Sequence, residues 1–310
     1  MSAPPVARSC RVRIRFSELS DLVAPGVRRI QVPLPIPALR IVNAYLIEGA
    51  GGWSLVDSGL HTQEAERALL EGLADAGVAM RDVRRAFITL LHPDHMGMAG
   101  MLARASVEVL MHRPEIERAH RVWSPTHELI DETYVFFSRH GMPADVDEGG
   151  GRAERVRWTP GHTDHHAALV DERDRILFAG DHVLPRITSN VGLYPQSRDD
   201  PLGDFLDALR AMRDLPVLHV LPAHGDPFTD LAGRIDELLA HHDARLDAVI
   251  SALGARERTA YEVAHDLFPK LRSPHEERFA LAETLAHLRH LERMSKVAEV
   301  DGKVARWRAA

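Results

Sequence analysis

The chain has 310 residues, 45% of them hydrophobic, which is enough to bury one large core and leave room for a small second domain. Its 38 Lys and Arg against 45 Asp and Glu give a formal net charge of −7, so its overall charge does not attract nucleic acid or anionic membranes. Cys10 is the single cysteine, which excludes an intrachain disulfide and a cysteine-based zinc cluster. A metal ion would therefore have to be held by His and carboxylate groups.

The first residues lack the apolar core of a secretory signal, and no run of about 18 apolar residues could span a bilayer. We therefore expect a soluble, cytoplasmic protein that does not enter a membrane. The sequence does not fix the oligomeric state, and a homodimer stays open.

Apolar and polar residues alternate from Arg11 to Asp57 between Pro and Gly breaks, which predicts short antiparallel strands. From Thr62 to Ala76 the apolar residues follow a helical period, which predicts an amphipathic helix. Four later segments share one arrangement, in which an apolar strand runs into a loop that carries His or Asp. They read VRRAFITLLHPDH, ERVRWTPGH, DRILFAGDH and VLHVLPAHG. Because strand ends at one edge of a sheet lie close together, we expect these loops to converge.

A segment of helical character at about residues 113–150 is predicted to be an insertion near this edge. Its aromatic residues, around Tyr134 to Phe137, either form an apolar acyl pocket or belong to the core, and the core is the favoured interpretation. We expect the catalytic domain to cover residues 1–240.

The predicted tail domain covers residues 241–310 and follows an amphipathic helix from about Leu231 to Leu253. Thr259 to Leu267 predicts a short helix, and a capping box at Ser273 to Glu276 opens a second one. Two strands are predicted around an Asp301–Gly302 turn. Helix, helix and hairpin in this order predict a small winged-helix-like domain.

The four strand-end loops carry side chains that bind divalent metals. They supply, in chain order, His92, Asp94, His95, His162, Asp181 and His224. Neutral imidazole and carboxylate suit zinc or iron, and six such groups exceed the three protein ligands of a single catalytic zinc. Two adjacent metals are therefore expected. The chain contains 19 His, so an isolated one such as His112 is interpreted as a surface or packing residue.

The motifs HPDHMG, TPGHTDHH, FAGDHV and PAHG, in this order and at these separations, resemble the metallo-β-lactamase superfamily, especially its glyoxalase II-like branch. The resemblance covers roughly residues 28–230. It implies an α+β fold, an αββα sandwich, to which the winged-helix-like tail is added. It also implies that Asp57 supports a metal-binding His from the second coordination shell.

The resemblance further implies two adjacent metal sites that share one carboxylate. His92 and His162 would form the first site, Asp94, His95 and His224 the second, and Asp181 would bridge them. The expected cofactor is zinc, as one ion or two, with iron or manganese as alternatives. His166 is expected to support the site rather than bind metal, and His182 has no assigned role.

The sequence departs from the family motif His-x-His-x-Asp-His at its first position. Here the motif reads Leu90-Leu91-His92-Pro93-Asp94-His95, and leucine cannot bind a metal. The first site keeps three potential ligands, whereas the second keeps its full set, so stronger occupancy is expected at the second. Iron dioxygenases of the superfamily use the first-site His pair, so the loss of this His argues against persulfide dioxygenase chemistry and favours hydrolysis.

The expected mechanism is attack on a carbonyl by a metal-bound hydroxide, with Asp94 binding the metal and orienting the nucleophile. The segment after Asp181 resembles glyoxalase II-like hydrolases, which implies a small-molecule acyl substrate such as a thioester, an ester or a lactone. Tyr194 either donates its hydroxyl to the oxyanion or is a packed loop residue.

Two other functions compete with this hypothesis. A catalytically impaired chain could act as a regulator or nucleic-acid-binding protein through its tail, and a third hypothesis is an enzyme that cleaves RNA. The tail from residue 241 to 310 contains 12 Lys or Arg and 11 Asp or Glu, a net charge of +1, which is weak support for a phosphate-binding surface. Nucleic acid is therefore not the expected partner.

Overall fold

The computed structural model of the chain describes residues 20–36, 39–123, 154–195, 197–271, 274–300, 302 and 304–310. A first β-sheet contains six strands in the order of the chain. They are β1 (Ser20–Ala24), β2 (Val27–Pro33), β3 (Ile41–Gly49), β4 (Gly52–Val56), β5 (Val83–Ile88) and β6 (Glu108–Met111). Strands β1 to β4 pair antiparallel, as predicted, and β5 and β6 join them in parallel.

A second sheet has four strands in the order β10-β9-β8-β7. They are β7 (Glu154–Trp158), β8 (Ala167–Asp171), β9 (Ile176–Gly180) and β10 (His219–Pro222). Strands β7, β8 and β9 are antiparallel neighbours, and β10 runs parallel to β9. Three of these strands therefore form the stems of the loops that the sequence singled out.

Helices cover the outer faces of both sheets. In the first half of the chain they are α1 (Gln63–Asp75), α2 (Pro93–Met96), α3 (Ala99–Arg104) and α4 (Arg113–Trp123), with a short 3₁₀ turn at Met80–Asp82. In the second half they are α5 (Pro201–Met212), α6 (Leu231–Leu253), α7 (Ala260–Leu267) and α8 (Pro274–Arg293), followed by a hairpin of β11 (Val297–Val300) and β12 (Arg306–Ala309).

Alternating side chains on each strand build the layers. On β9, Ile176 and Phe178 belong to the apolar core between the two sheets, where the Phe178 ring meets the edge of Tyr45 at 5.7 Å between centroids. Leu177 and Ala179 face the other way, into the core beneath α5 and α6. Because a strand turns successive side chains to opposite faces, both faces of each sheet are buried. The arrangement is helix, sheet, sheet, helix, which confirms the αββα prediction.

Two of the predicted helices begin at residues whose side chains cap the helix N-terminus. Thr62 accepts a hydrogen bond from the Ala65 N–H at the start of α1, and Thr259 with Glu262 forms a capping box at the start of α7. Helix α6 has the predicted bounds and continues through residue 240, so the expected domain boundary lies inside a helix. None of the helices in the described ranges is both long and apolar enough to cross a bilayer.

The tail contains the predicted sequence of two helices and an antiparallel hairpin, and its classification as a winged helix stays an interpretation. Four features of the sequence analysis lie outside the described residues. They are the first predicted strand, the aromatic part of the 113–150 segment, the Ser273 cap and the Asp301 turn residue.

Glu115 on α4 connects two of the strand-end loops. Its Oε1 accepts hydrogen bonds from the Leu91 N–H at 3.0 Å and from the Thr163 hydroxyl at 2.7 Å. The side chain is buried, and burial raises the pKa of Glu115 above its ordinary value. Since Leu91 precedes His92 and Thr163 follows His162, this one carboxyl group fixes the distance between the loops after β5 and β7.

We predict that Glu115→Ala lowers the free energy of unfolding by about 1 to 3 kcal/mol, because it leaves two buried donors without an acceptor.

Glu115→Gln keeps an acceptor oxygen and lacks the buried charge. Because the folded-state pKa is raised, the stability that the wild-type carboxyl contributes is present at low pH and is lost as the pH rises through that pKa. In urea unfolding of chelator-treated protein, the free energy of unfolding of the Gln variant should therefore rise relative to that of the wild type between about pH 5 and about pH 8. A difference that does not change with pH would contradict the assignment.

Candidate metal centre

The structure brings all six predicted ligand residues together at one edge of the sandwich. They form two groups, in each of which the potential ligand atoms lie within 4.8 Å of one another: His92, His162 and Asp181, and Asp94, His95 and His224. The division is the one that the family resemblance implies for the first and second sites. The roles of these residues as ligands stay predictions.

Tight turns at the strand ends place these side chains. Gly180, the last residue of β9, has a φ of 52°, in the left-handed region that favours glycine. A Cβ at this position would overlap Nε2 of His166. Glycine therefore lets the chain turn directly before Asp181 while His166 packs against its backbone.

In the first group, Nε2 of His162 lies 3.2 Å from Nδ1 of His92 and 3.3 Å from Oδ2 of Asp181. Nδ1 of His162 donates to the Asn190 carbonyl oxygen at 2.8 Å. Because a carbonyl can only accept, this bond places a proton on Nδ1 and turns Nε2 toward the other members of the group. Burial, followed by the neighbouring His162, lowers the pKa of His92 to about 3, which keeps the His92 ring neutral.

In the second group, Nε2 of His224 lies 3.4 Å from Oδ2 of Asp94 and 3.4 Å from Oδ1 of Asp181. Nε2 of His95 lies 3.4 Å from Oδ2 of Asp181 and 3.8 Å from Oδ2 of Asp94. Nδ1 of His224 donates to the Ile41 carbonyl oxygen at 2.8 Å, which again turns Nε2 toward the centre. Asp181 contacts members of both groups, as the position of a bridging carboxylate requires.

Asp57 contacts His95, in agreement with the supporting position that the family resemblance implies for it. Its Oδ2 lies 2.9 Å from Nδ1 of His95, and its carboxylate also accepts hydrogen bonds from the Thr89 N–H and hydroxyl. Asp57 is buried and has a φ of 59°, which is uncommon for a residue with a side chain. The strained turn at the end of β4 thus holds a carboxylate behind the second group.

The ionisable groups of this centre shift one another's pKa values. Burial opposes ionisation of Asp94 and Asp181, yet the neighbouring imidazoles lower the pKa of Asp94 to about 2 and that of Asp181 well below its usual range. Burial likewise opposes protonation of His95 and His224, but the carboxylates around them, Asp181 first, raise both pKa values. The carboxylates and the His95 and His224 imidazoles thus stabilise one another's charged forms.

Several buried polar atoms at this centre have no hydrogen-bond partner within the described ranges. They are Nε2 of His95, Nε2 of His224 and Oδ1 of Asp181, and each of the two nitrogens lies 3.4 Å from an oxygen of Asp181 without forming a hydrogen bond to it. Buried polar atoms of this kind normally have a partner. Imidazole nitrogens and carboxylate oxygens that converge without one fit a divalent metal ion.

Two further His of the motifs lie behind the ligand set. Nε2 of His166 accepts a hydrogen bond from the Asp181 N–H at 3.2 Å, and its Nδ1 lies 2.6 Å from the Thr159 hydroxyl. Both ring nitrogens of His166 are thus engaged, in agreement with a supporting role. His182 is buried against Phe205, and burial lowers its pKa to about 3. We assign no ligand role to His182.

Leu90 and Tyr194 lie outside the two groups of potential ligands. Leu90 is fully buried two residues before His92. Tyr194 is 38% exposed, and its main chain exchanges hydrogen bonds with Ser197, which is not a predicted ligand. Its role at the oxyanion stays a prediction.

Glu115 and Asn190 are not among the predicted site residues, although each fixes part of the first group. Glu115 acts on main-chain and hydroxyl groups of residues beside the ligands, and Asn190 acts through its carbonyl oxygen. Neither role has a local motif. A main-chain carbonyl carries no residue-specific signal, and the contacts of Glu115 are to residues distant in the chain.

Comparisons with known proteins agree with this arrangement. The family model of the metallo-beta-lactamase superfamily matches residues 37–224, and a model for the metallo-beta-lactamase-like C-terminal domain matches residues 246–310. The "Probable metallo-hydrolase YqjP" of Bacillus subtilis (strain 168) is 29% identical over 302 residues, which cover 87% of this chain and 93% of that protein. An "Atrochrysone carboxyl ACP thioesterase" of Claviceps purpurea (strain 20.1) is 33% identical over 104 residues, 34% of this chain and 31% of that protein.

Among solved structures, a metallo-beta-lactamase family protein from Thermus thermophilus superposes with a TM-score of 0.79 at 36% sequence identity. The match covers 93% of this chain and 100% of that one, so it includes the tail as well as the sandwich. Family model, identity and fold lead to the same conclusion: the chain belongs to the metallo-β-lactamase superfamily.

Proposed function

We propose that this protein is a metal-dependent hydrolase that acts on the carbonyl group of a small acyl substrate, a thioester, an ester or a lactone. The observation that carries the proposal is the set of buried ligand atoms of His95, His224 and Asp181 that lie close together and have no hydrogen-bond partner in the described part of the chain. The hydrolase name of the Bacillus subtilis relative supports the same reaction class.

A zinc ion, or alternatively iron or manganese, would lower the pKa of a water molecule and polarise the substrate carbonyl when bound at this centre. Asp94 is the group that can orient an attacking water. Its pKa of about 2 keeps it ionised, so it accepts a hydrogen bond, and its side chain is 14% exposed, more than that of Asp181. Asp57 and the Ile41 carbonyl hold the His95 and His224 rings in place around it.

The two groups are proposed to hold metal unequally. Asp94, His95 and His224 with the shared Asp181 offer four protein donors, whereas His92 and His162 with Asp181 offer three. The buried Leu90 occupies the position from which the family motif supplies the fourth. A proposed second site with more donors should fill first.

A thioester is the favoured substrate within this class. The stretch of the chain that matches the Claviceps purpurea thioesterase supports it, as does the resemblance of the segment after Asp181 to glyoxalase II-like hydrolases. Tyr194 is proposed to contribute its hydroxyl once a substrate is present.

The direct test is turnover of a panel of thioesters, lactones and β-lactams by the zinc-, manganese- or iron-loaded chain. At least one carbonyl substrate should be hydrolysed, and Asp94→Asn should reduce its turnover by about hundredfold or more, because the amide cannot orient the water as the carboxylate does. Asp236→Asn, which changes an exposed carboxylate of α6 that pairs with Arg213, is the matched control and should leave turnover unchanged. Cleavage of single-stranded RNA that disappears in Asp94→Asn, without carbonyl turnover, would refute the proposal.

A second prediction concerns the number of metal ions. The wild type should hold about one zinc ion per chain after dialysis, and Leu90→His should hold about two, because it restores an imidazole to the first site. Leu90→Gln puts a polar side chain at the same buried position without an imidazole and should stay at about one. Metal analysis of the three proteins decides the point, and equal zinc content in all three would show that Leu90 does not limit the first site.

A third prediction concerns pH. Because the carboxylates raise the pKa of His95 and His224, metal binding at the second site must displace their protons, so its affinity should rise with pH. The pKa of His92 is lowered to about 3, so its ring presents no competing proton. Calorimetric zinc titrations at about pH 6 and about pH 8, in buffers of different ionisation heat, should show proton release with the first equivalent. Affinity that is independent of pH would contradict the charge assignment.

A further inference from the structure

The loop that follows β9 joins the metal centre to the C-terminal helix α8. Its residue Asn190 carries two hydrogen bonds in opposite directions. The Asn190 carbonyl oxygen accepts from Nδ1 of His162 at 2.8 Å, and the Asn190 side-chain amide donates to Oε2 of Glu283 at 3.3 Å. A short path thus leads from a ligand of the first group to a carboxylate of the tail.

The same loop is fixed to α8 by its main chain. The Leu193 N–H donates to the Ala282 carbonyl oxygen at 2.9 Å, one residue from Glu283. Gly192 is buried at this contact, and a Cβ there would lie 3.0 Å from the Cβ of Ala282 and 2.7 Å from the Tyr194 ring. The absence of a side chain at Gly192 therefore lets the loop approach the helix closely.

Glu283 is held on the other side by the tail itself. Its side chain is 17% exposed and its Oε1 lies 4.0 Å from Nε of Arg245 on α6. A carboxylate that is largely enclosed and contacted from two sides has little freedom, so the position of Asn190 is set by α6 and α8 together. The first group has three protein donors and depends on each of them.

We propose that α8 is part of the support of the first metal site, with Glu283 as a positioning residue that acts on His162 through Asn190. This inference rests on the proposed function, since it assumes that the centre binds metal. It gives the tail a role in the metal centre. Groups that orient a metal-binding His commonly change metal affinity by 10- to 100-fold when they are removed.

The test is a Co²⁺ titration of the full chain, followed by visible absorption, in the wild-type and Leu90→His backgrounds. Glu283→Ala should weaken the second equivalent, which fills the first site, by about tenfold and leave the first equivalent unchanged. Glu283→Gln keeps an acceptor for the Asn190 amide and should restore most of the affinity. Glu292→Ala, which removes a carboxylate paired with Arg289 further along α8, is the matched control and should bind as the wild type does.

A double-mutant cycle separates positioning from general stability. If Glu283 acts through Asn190, then adding Asn190→Ala to Glu283→Ala should cause no further loss at the first site. Equal weakening of both equivalents, additive losses, or first-site affinity unchanged in Glu283→Ala would overturn the inference while leaving the proposed function intact. Absence of Co²⁺ binding in both backgrounds would instead refute the proposed function, on which the inference rests.

Discussion

The carboxylate of Asp181 is ionised and buried. The rest of the centre depends on the need to compensate its negative charge. Imidazole nitrogens of His162 and His95 approach its Oδ2 at 3.3 and 3.4 Å, and that of His224 approaches its Oδ1 at 3.4 Å without forming a hydrogen bond. An uncompensated buried charge costs several kcal/mol. Protons on the imidazoles can balance this charge, and a divalent cation would balance it in their place, with Nε2 of His162 and His224 already turned toward Asp181 by the carbonyls that hold Nδ1 of each ring.

The sequence predicted the sandwich and the ligand set for the same reason. Strands with both faces buried read as short continuous apolar runs, and each ends in a turn marked by glycine or proline, as at Gly180 before Asp181 and Pro222 before His224. Those local patterns fixed the strands, the edge at which they end and the residues at their ends. The family resemblance then divided the residues into two groups that the geometry reproduces.

The supporting contacts could not be predicted in this way. The carbonyl oxygens of Ile41 and Asn190 determine the tautomers of His224 and His162, yet any residue type provides a carbonyl, so sequence letters do not reveal the role. Glu115 contacts Leu91 and Thr163, which lie 24 and 48 residues away in the chain. Such contacts depend on the assembled fold rather than on a local period. Asp57 is the exception, because it lies in a recognisable motif.

The two groups differ in their supports as well as in their donors. The second group is backed by Asp57 at the end of β4 and by the Ile41 carbonyl at the start of β3, both within the first sheet. The first group is backed by Glu115 on α4 and by the loop that contains Asn190. A site with one donor fewer therefore also rests on elements outside the sheets, and its geometry depends more on distant packing.

This dependence bears on the role of the tail. If α8 served mainly to bind nucleic acid, the side chains of its central turns would be expected on a free surface. Instead Ala282 and His287 are buried, Glu283 is largely enclosed, and His290 pairs with Asp200 at the start of α5 at 2.9 Å. Residues of this face contact Asn190, Leu193 and Asp200, all of which precede the tail. The burial of this face favours a tail that completes the hydrolase over one that acts as an independent binding module.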